Sequence, residues 1–434
     1  MDQIEKRIIE TIDKNRETIL SFARDIQNHP ELGFEEERTA ERVEKLFGRL
    51  GLEVKTGLAR TGVRGDLPEK KGPNVTILGE LDGILCRSHP LADPKTGAAH
   101  ACGHHAQLAA MAGAAMALCE REVRASLDGN VTFFAVPAEE YVDAEKRKRM
   151  KARQIGFPAS GKSELIRLGE LDRSDIILTT HVHMIPCQKT LYLGNTASNG
   201  FTAQVVTIHG KAAHAAINPW DGVNALSIAA SAIEMMGLMR ETFREQDHVR
   251  LHNVIRKAGD AINTVPEEAI VETKVRASSL EQIRLVREKI DRAYDGAAYA
   301  FGGTVTREIL QGYMPVLFRP ADQVLIDAAR DLGIPPRLAN AQDFNDACTD
   351  VGDLTHLFPV LNFTFGGTKG SLHGADFQVT DEETAYVIPA KMLALSVYKL
   401  LKDQAGEAEK IIRSYTPVFD RDSYIKYIKE QYHI

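Results

Sequence analysis

The sequence predicts an α/β protein, a mixed sheet flanked by helices on both faces, with a smaller α+β sandwich inserted into it. Three observations carry that expectation. Short β-rich apolar runs at Asn74–Gly79, Val131–Val136 and Ile176–Thr180 alternate with helical segments, as in a sheet buried from both sides. Between about 199 and 308 the order becomes strand, helix, strand, strand, helix, strand, the split βαβ pattern. Beyond it, Val360–Phe365 and the helix-like Tyr386–Leu401 resume the first style. The 434 residues also exceed the ~250–300 that one core usually holds. The expected domains are therefore 1–198 with 309–434, and an inserted 199–308.

Taken in order, Ile4, Ile8, Ile9, Ile12, Ile19, Phe22 and Ile26 lie near the 3.6-residue period of an amphipathic helix, closed by the breaker Asn28-His29-Pro30. Thr39–Leu50 repeats the pattern and stops at Gly51, a C-terminal cap signal. In the insertion, Phe201–Ile208 and Ala269–Ala277 alternate as strands, with Val249–Ile255 and Thr304–Leu310 completing the set. Trp220–Phe243 and Leu280–Ala300 are its helices. From Asp403 onward the chain is charged and helix-like, with no function attached to it.

Composition excludes several classes. With 53 basic and 60 acidic side chains, 44% hydrophobic and 26% charged residues, the chain is of ordinary globular type, which argues against disorder, collagen-like repeats and a coiled-coil rod. No run approaches the ~18 uninterrupted apolar residues of a membrane span, and the longest, Leu108–Cys119, is short and Ala-rich, so no membrane partner is expected. The N-terminal MDQIEKRIIE lacks the basic-then-apolar order of a secretory signal. Cys86, Cys102, Cys119, Cys187 and Cys348 are too few and too scattered for a disulfide framework, which makes the cytoplasm the expected compartment. The basic run Lys146–Arg153 has no interleaved aromatics and the net charge is −7, so a solvated helix face is expected there and nucleic acid is not.

The chemistry concentrates at strand ends. His100-Ala-Cys102-Gly-His104-His105 offers a thiolate and an imidazole two residues apart, both good ligands for a divalent ion such as zinc. Glu139-Glu140 follows the strand Val131–Val136, where successive side chains point opposite ways, so one carboxylate can bind a metal while the other faces a water on it. His181 and His183 share one face if their strand continues that far. His373 sits in a Gly-rich loop after the strand Val360–Phe365. Each alone has a structural reading; four such loops together make the metal reading stronger than any one does.

Together with His29-Pro-Glu-Leu-Gly-Phe, Glu37, Thr39-Ala40, Gly210-Lys-Ala-Ala-His214, Asn263-Thr-Val-Pro and Ser371-Leu-His373, these motifs resemble the amidohydrolase branch of the aminoacylase and glutamate-carboxypeptidase metallopeptidase clan across nearly the whole chain. Thr349-Asp-Val-Gly-Asp353 and Gly79-Glu-Leu-Asp-Gly resemble the p-aminobenzoyl-glutamate hydrolase B-subunit group within it. The resemblance implies a zinc-peptidase-like catalytic domain with a lid and dimerisation domain, hence a homodimer. It implies one or two zinc or manganese ions on Cys102, His104, Glu140, His181 and His373, with Cys102 shared, Glu139 as general base and Asp82 in support. His183, Asn263 and Arg276 would meet the substrate, and His214 would stabilise the oxyanion.

The activity so implied is hydrolysis of a C–N amide bond in a small N-acyl or aminobenzoyl amino-acid substrate. Hydrolytic deamination of an amino-substituted nitroaromatic acid is the alternative. The chain departs from the branch pattern at His105, where Asp or Asn is usual, after Glu140, where glycines are usual, and at Glu80, where other clan members carry a metal-binding histidine. Gly156-Phe-Pro-Ala-Ser-Gly161-Lys162-Ser163 also fits a phosphate-binding loop, the mark of a nucleotide-binding protein, yet no buried strand precedes it.

Overall fold

The computed structural model describes residues 1–183 and 190–433, so Cys187 lies outside the described residues. The chain divides into two compact units. The first comprises 1–196, 317–343 and 353–424, and the second 197–316, 344–352 and 425–434. Residues 309–316, 344–352 and 425–434 thus group with the inserted segment rather than with the flanking one.

The first unit is built on an eight-stranded mixed sheet. Its strands run in the order Glu53–Leu58, Gly62–Asp66, Asn130–Val136, Asn74–Glu80, Ile176–Val182, Val360–Phe365, Leu191–Leu193 and Arg337–Leu338. The four long central strands are parallel to their neighbours within that group. Asn74–Glu80 is buried along its whole length, because alternate residues serve two faces. Val75 and Ile77 join the main core, while Thr76 and Leu78 are buried on the other side. The antiparallel edge pair Glu53–Leu58 and Gly62–Asp66 had no counterpart in the sequence reading, since Lys55-Thr-Gly57 breaks the alternation.

The N-terminal helix is two, Gln3–Lys14 and Arg16–Gln27, divided at Asn15, and the first opens on a capping box between Asp2 and Glu5. Behind the sheet lies His104–Leu118, in which every residue is buried. A helix apolar all round belongs in a core, and its alanines and Gly113 allow close approach: a Cβ at Gly113 would lie 2.7 Å from Ala390 Cβ. Ala390 belongs to Ile388–Leu401, preceded by a π turn at Glu383–Val387. By length and composition the combined segment Glu383–Leu401 could cross a membrane, although Glu383, Lys391 and Lys399 interrupt its apolar run, and 83% of its apolar window is buried in the protein.

The second unit is a four-stranded antiparallel sheet in the order Arg250–Ala258, Glu268–Ala277, Gly200–His209 and Thr304–Leu310. The helices Ala225–Leu238 and Leu280–Phe301 share one core with Val206, Ile208, Val271 and Val275. Glu268–Ala277 alternates residue by residue between buried and half-buried, as a sheet covered on one face requires. The expected helix Trp220–Phe243 is shorter, with 3₁₀ turns at Pro219–Asp221 and Met239–Thr242 on either side.

Candidate metal centre

The C-terminal ends of the parallel strands Asn74–Glu80, Asn130–Val136, Ile176–Val182 and Val360–Phe365 deliver the chemistry, as open parallel sheets do. Glu80 ends the first strand and Asp82 follows it. Glu139 and Glu140 come after Pro137 and Ala138, where a positive φ of 48° at Ala138 turns the chain sharply. His181 lies near the end of the third strand. Cys102 and Gly103 lead into the buried helix that begins at His104, and Gly103, at φ 86°, is packed so tightly that a Cβ would meet Val182 Cγ2 at 2.6 Å.

Cys102 sits between two groups of donors. On one side are His104 and His181, whose Nε2 is 3.6 Å from Cys102 Sγ. On the other are Glu140 and His373, with His373 Nε2 3.3 Å from the sulfur and 3.2 Å from Glu140 Oε1. A third group, Glu80, His104 and Glu139, adjoins the first: His104 Nε2 lies 3.2 Å from Glu80 Oε2 and 3.8 Å from Glu139 Oε2. The imidazoles are aimed from behind. His104 Nδ1–H donates to the Asp82 carbonyl at 2.8 Å and His181 Nδ1–H to the Val182 carbonyl at 2.8 Å, which leaves both Nε2 lone pairs facing the cluster. Asp82 Oδ2 accepts from the Glu140 backbone N–H at 2.9 Å.

These residues fit a divalent cation. Glu80 Oε2, Asp82 Oδ1, His104 Nε2 and Glu140 Oε1 are buried with no hydrogen-bond partner, a costly arrangement for charged groups unless a cation binds them. The donor set of thiolate, imidazole and carboxylate is that of zinc and its neighbours. Electrostatics agree. Burial opposes charge on His104, yet the nearby Glu80 carboxylate, the Cys102 sulfur and the hydrogen bond to Asp82 hold its pKa well above the ordinary value. Burial also works against charge on Glu80, but the Lys162 ammonium and the imidazoles of His104 and His181 outweigh it and bring the carboxyl down to about 2. Burial, then the Glu140 carboxylate, pushes the Cys102 thiol well up, which a cation would reverse.

The structure thus brings Cys102, His104, Glu139, Glu140, His181, His373 and Asp82 together. His183 stands beside them on the same strand end, stacked on Tyr192 at 3.7 Å and bonded through Nδ1 to Thr364 Oγ1. The second unit carries the other three. His214 is exposed, and its Nδ1 accepts from the backbone N–H groups of Ala216 and Ile217, so it caps a turn. Asn263, also exposed, accepts through its carbonyl from Ala215 N–H, and Arg276 is half-buried on the sheet.

One motif is explained and one expectation is corrected. The phosphate loop is not one: Gly156 and Phe157 N–H groups donate to Glu164, and Gly161 N–H to the Ala138 carbonyl, so the amides that would cradle phosphate are spent. Lys162 is fully buried, its Nζ 2.6 Å from Glu80 Oε1. The basic run is a helix, Ala144–Ala152, but not a solvated face throughout. Lys146 is buried toward Glu35, and Arg147 donates to the Val142 carbonyl with its guanidinium over Tyr141, beside the apolar cluster of Phe34, Ala138, Val142, Met150 and Ile155. Lys162 and Glu36 are what sequence reasoning missed. Glu36 accepts from Thr61 Oγ1 and Ala138 N–H, and burial followed by the Asp82 charge pushes its carboxyl up to about 8. The branch-atypical His105 is buried against His100 and Tyr386, and both histidines are held below their usual pKa by burial.

The chain has the M20 peptidase fold and carries its dimerisation domain, since residues 196–300 match the M20 peptidase dimerisation domain family. The human Xaa-Arg dipeptidase is 28% identical over 321 residues, 70% of this chain and 66% of its own length. The N-acetyl-L-cysteine deacetylase of Bacillus subtilis strain 168 is 25% identical over 91% of this chain and 90% of its own. A dinuclear metal-binding M20 peptidase from Bacillus subtilis superposes with a TM-score of 0.68 at 22% identity, covering 90% of this chain and 99% of that one.

Proposed function

We propose that the protein hydrolyses the amide bond of a small N-acyl or aminobenzoyl amino acid, using zinc or manganese at this centre. The observation that carries the reading is the convergence of two donor groups on Cys102 with Glu139 beside them. Cys102, His104 and His181 would hold one ion, and Cys102, Glu140 and His373 a second. When bound, the ions supply Lewis acidity, polarising the substrate carbonyl and acidifying a water. Glu139, whose Oε2 lies 3.8 Å from His104 Nε2, would take a proton from the attacking water as the water oxygen adds to the carbonyl carbon. It then delivers the proton to the leaving nitrogen as the C–N bond breaks. Asp82 fixes both the His104 ring and the Glu140 backbone, so it acts by positioning.

On the second unit, resemblance assigns His214 with Asn263 to the oxyanion, Arg276 to a substrate carboxylate through its bidentate fork, and the unit itself to homodimer formation. His183 would contact the substrate from the catalytic unit. Support for this amide chemistry comes from the names of relatives, which include a dipeptidase and a deacetylase.

The test is metal content by mass spectrometry on protein purified without added metal, with a screen of N-acyl amino acids, dipeptides, aminobenzoyl-glutamate and nitro-substituted anilines. Bound zinc or manganese, a carboxylic acid product, and turnover lost in Glu139→Gln are expected. Ammonia release from the nitroanilines would select hydrolytic deamination instead, and a metal-free, inactive wild type would overturn the reading.

A further inference from the structure

Glu80 and Lys162 form a buried ion pair at the edge of the centre, with side chains 2% and 0% exposed. The two carboxylate oxygens of Glu80 are treated differently. Oε1 is taken by Lys162 Nζ at 2.6 Å. Oε2 has no hydrogen-bond partner and lies 3.2 Å from the equally unpartnered His104 Nε2, with Glu139 next to both. The local sequence fixes this asymmetry. Ser160 caps the helix Gly161–Leu168, Gly161 N–H donates to the Ala138 carbonyl, and a Cβ at Gly161 would lie 1.9 Å from the Pro137 carbonyl oxygen. The first turn of that helix is thereby pinned against the strand that leads to Glu139, and Lys162 is fed inward from it. On the other side, the Glu80 backbone N–H donates to Gln107 Oε1, whose amide donates to the Thr180 carbonyl, so the Glu80 backbone is equally fixed.

We infer that Glu80 is a ligand of the His104-side ion through Oε2 alone, and that Lys162 is the positioning residue that makes it so. A free carboxylate beside a cation can bind through both oxygens and adds a full negative charge. With Oε1 held by an ammonium, only one lone-pair site remains for the ion, and the charge the pair contributes is zero. The His104-side ion then gains a fourth donor beyond Cys102, His104 and His181 without added negative charge to quench its Lewis acidity. Glu139 is left to its proton. The inference rests on the hydrolase reading above, because it presumes that a divalent ion occupies the centre.

The pair can be tested by binding rather than turnover. Full-length wild type, Lys162→Met and the charge-neutral double variant E80Q/K162M are stripped with chelator and titrated with Zn²⁺ against a chromophoric competitor, and each is melted with and without Zn²⁺. Wild type is expected to take two ions per chain, and the double variant to lose one or to hold it ~10–100-fold more weakly. Metal-free Lys162→Met should melt well below wild type, because its Glu80 is a buried charge without a counter-ion. Zn²⁺ should close most of that gap, since the ion becomes the counter-charge. A double variant that binds two ions with wild-type affinity overturns Glu80 as a ligand. If Zn²⁺ leaves the Lys162→Met melting gap unchanged, the pair is structural only, and the inference falls while the hydrolase reading stands. A wild type that takes up no divalent ion overturns both. Should Lys162→Met fail to fold, the double variant, which leaves no unpaired charge, decides the question.

Discussion

The two units hold their candidate functional residues under opposite physical conditions. In the first, most donors are buried and fixed by a second layer: His104 by Asp82, Glu140 by the same Asp82, Glu80 by Lys162. In the second, His214 and Asn263 are exposed on loops, and the His214 ring accepts from the backbone of its own turn. Buried charge is costly unless a partner is supplied, so the first unit declares its function by unsatisfied atoms. An exposed histidine costs nothing, and declares nothing by itself. Substitutions in the two units should therefore separate by what they disturb.

The largest effect is expected at Glu139. Glu139→Gln keeps the shape of the side chain but cannot take a proton, so kcat should fall ~10²–10⁴-fold while the metal content stays at the wild-type level. Loss of bound metal in the variant would mean that Glu139 is a ligand instead. His214→Ala probes the other unit. It should lower kcat ~10²–10³-fold if the oxyanion role holds, with a melting temperature close to wild type, because the ring is exposed and supports only a turn. A loss of stability without a loss of kcat would reduce His214 to its cap.

This contrast also explains what could be read from the sequence. The central strands were legible because burial on both faces leaves unbroken apolar runs, and the sandwich because its buried face alternates. Cys102, His104, Glu139, Glu140, His181 and His373 were legible as ligand-type residues at strand ends. The partners Glu36 and Lys162 were not. Glu36 sits in a run of three glutamates, and only the fold shows that it is the completely buried one. Lys162 fits a phosphate-loop pattern, and only tertiary packing turns it toward Glu80. In the same way, two basic members of the Lys146–Arg153 run are buried because Glu35 and Tyr141 lie where no periodicity reveals them.

A smaller effect, specific to the first unit, is expected from Glu36. Its folded pKa of about 8 stands above the unfolded value near 4.5. The folded state therefore binds more protons between those values, and this contribution is complete below about pH 4.5 and lost as pH rises through 8. Glu36→Gln, which cannot ionise but can accept from Ala138 N–H through its amide oxygen and donate to Thr61 Oγ1 through its amide nitrogen, should gain on wild type by a few kcal/mol as the pH goes from 5 to 9. Denaturant melts of both proteins at those two pH values measure it, and parallel curves would show that Glu36 is ionised in the folded protein.

The smallest effects come from one substitution made in a helix of each unit, and they should differ in sign. Gly296 lies inside Leu280–Phe301, and a Cβ there meets nothing within 4 Å. Gly296→Ala adds helix propensity at no steric cost and should stabilise by ~0.5–1 kcal/mol. Gly113 has the same propensity to gain inside His104–Leu118, but its Cβ would lie 2.7 Å from Ala390 Cβ and 2.8 Å from Ile19 Cδ1. Ala390 Cβ has no torsion by which to withdraw, so the helices themselves must move apart. The cost of such overpacking, ~1–3 kcal/mol, exceeds the propensity gain. Gly113→Ala should therefore be net destabilising. Because His104 begins this helix, the displacement should also reach the metal centre, so Zn²⁺ affinity should fall along with the melting temperature. Gly296→Ala should leave that affinity untouched. If Gly113→Ala stabilised the protein as Gly296→Ala does, the helix packing behind the site would be looser than its distances imply, and the rigidity ascribed to the donors would have to come from their hydrogen bonds alone.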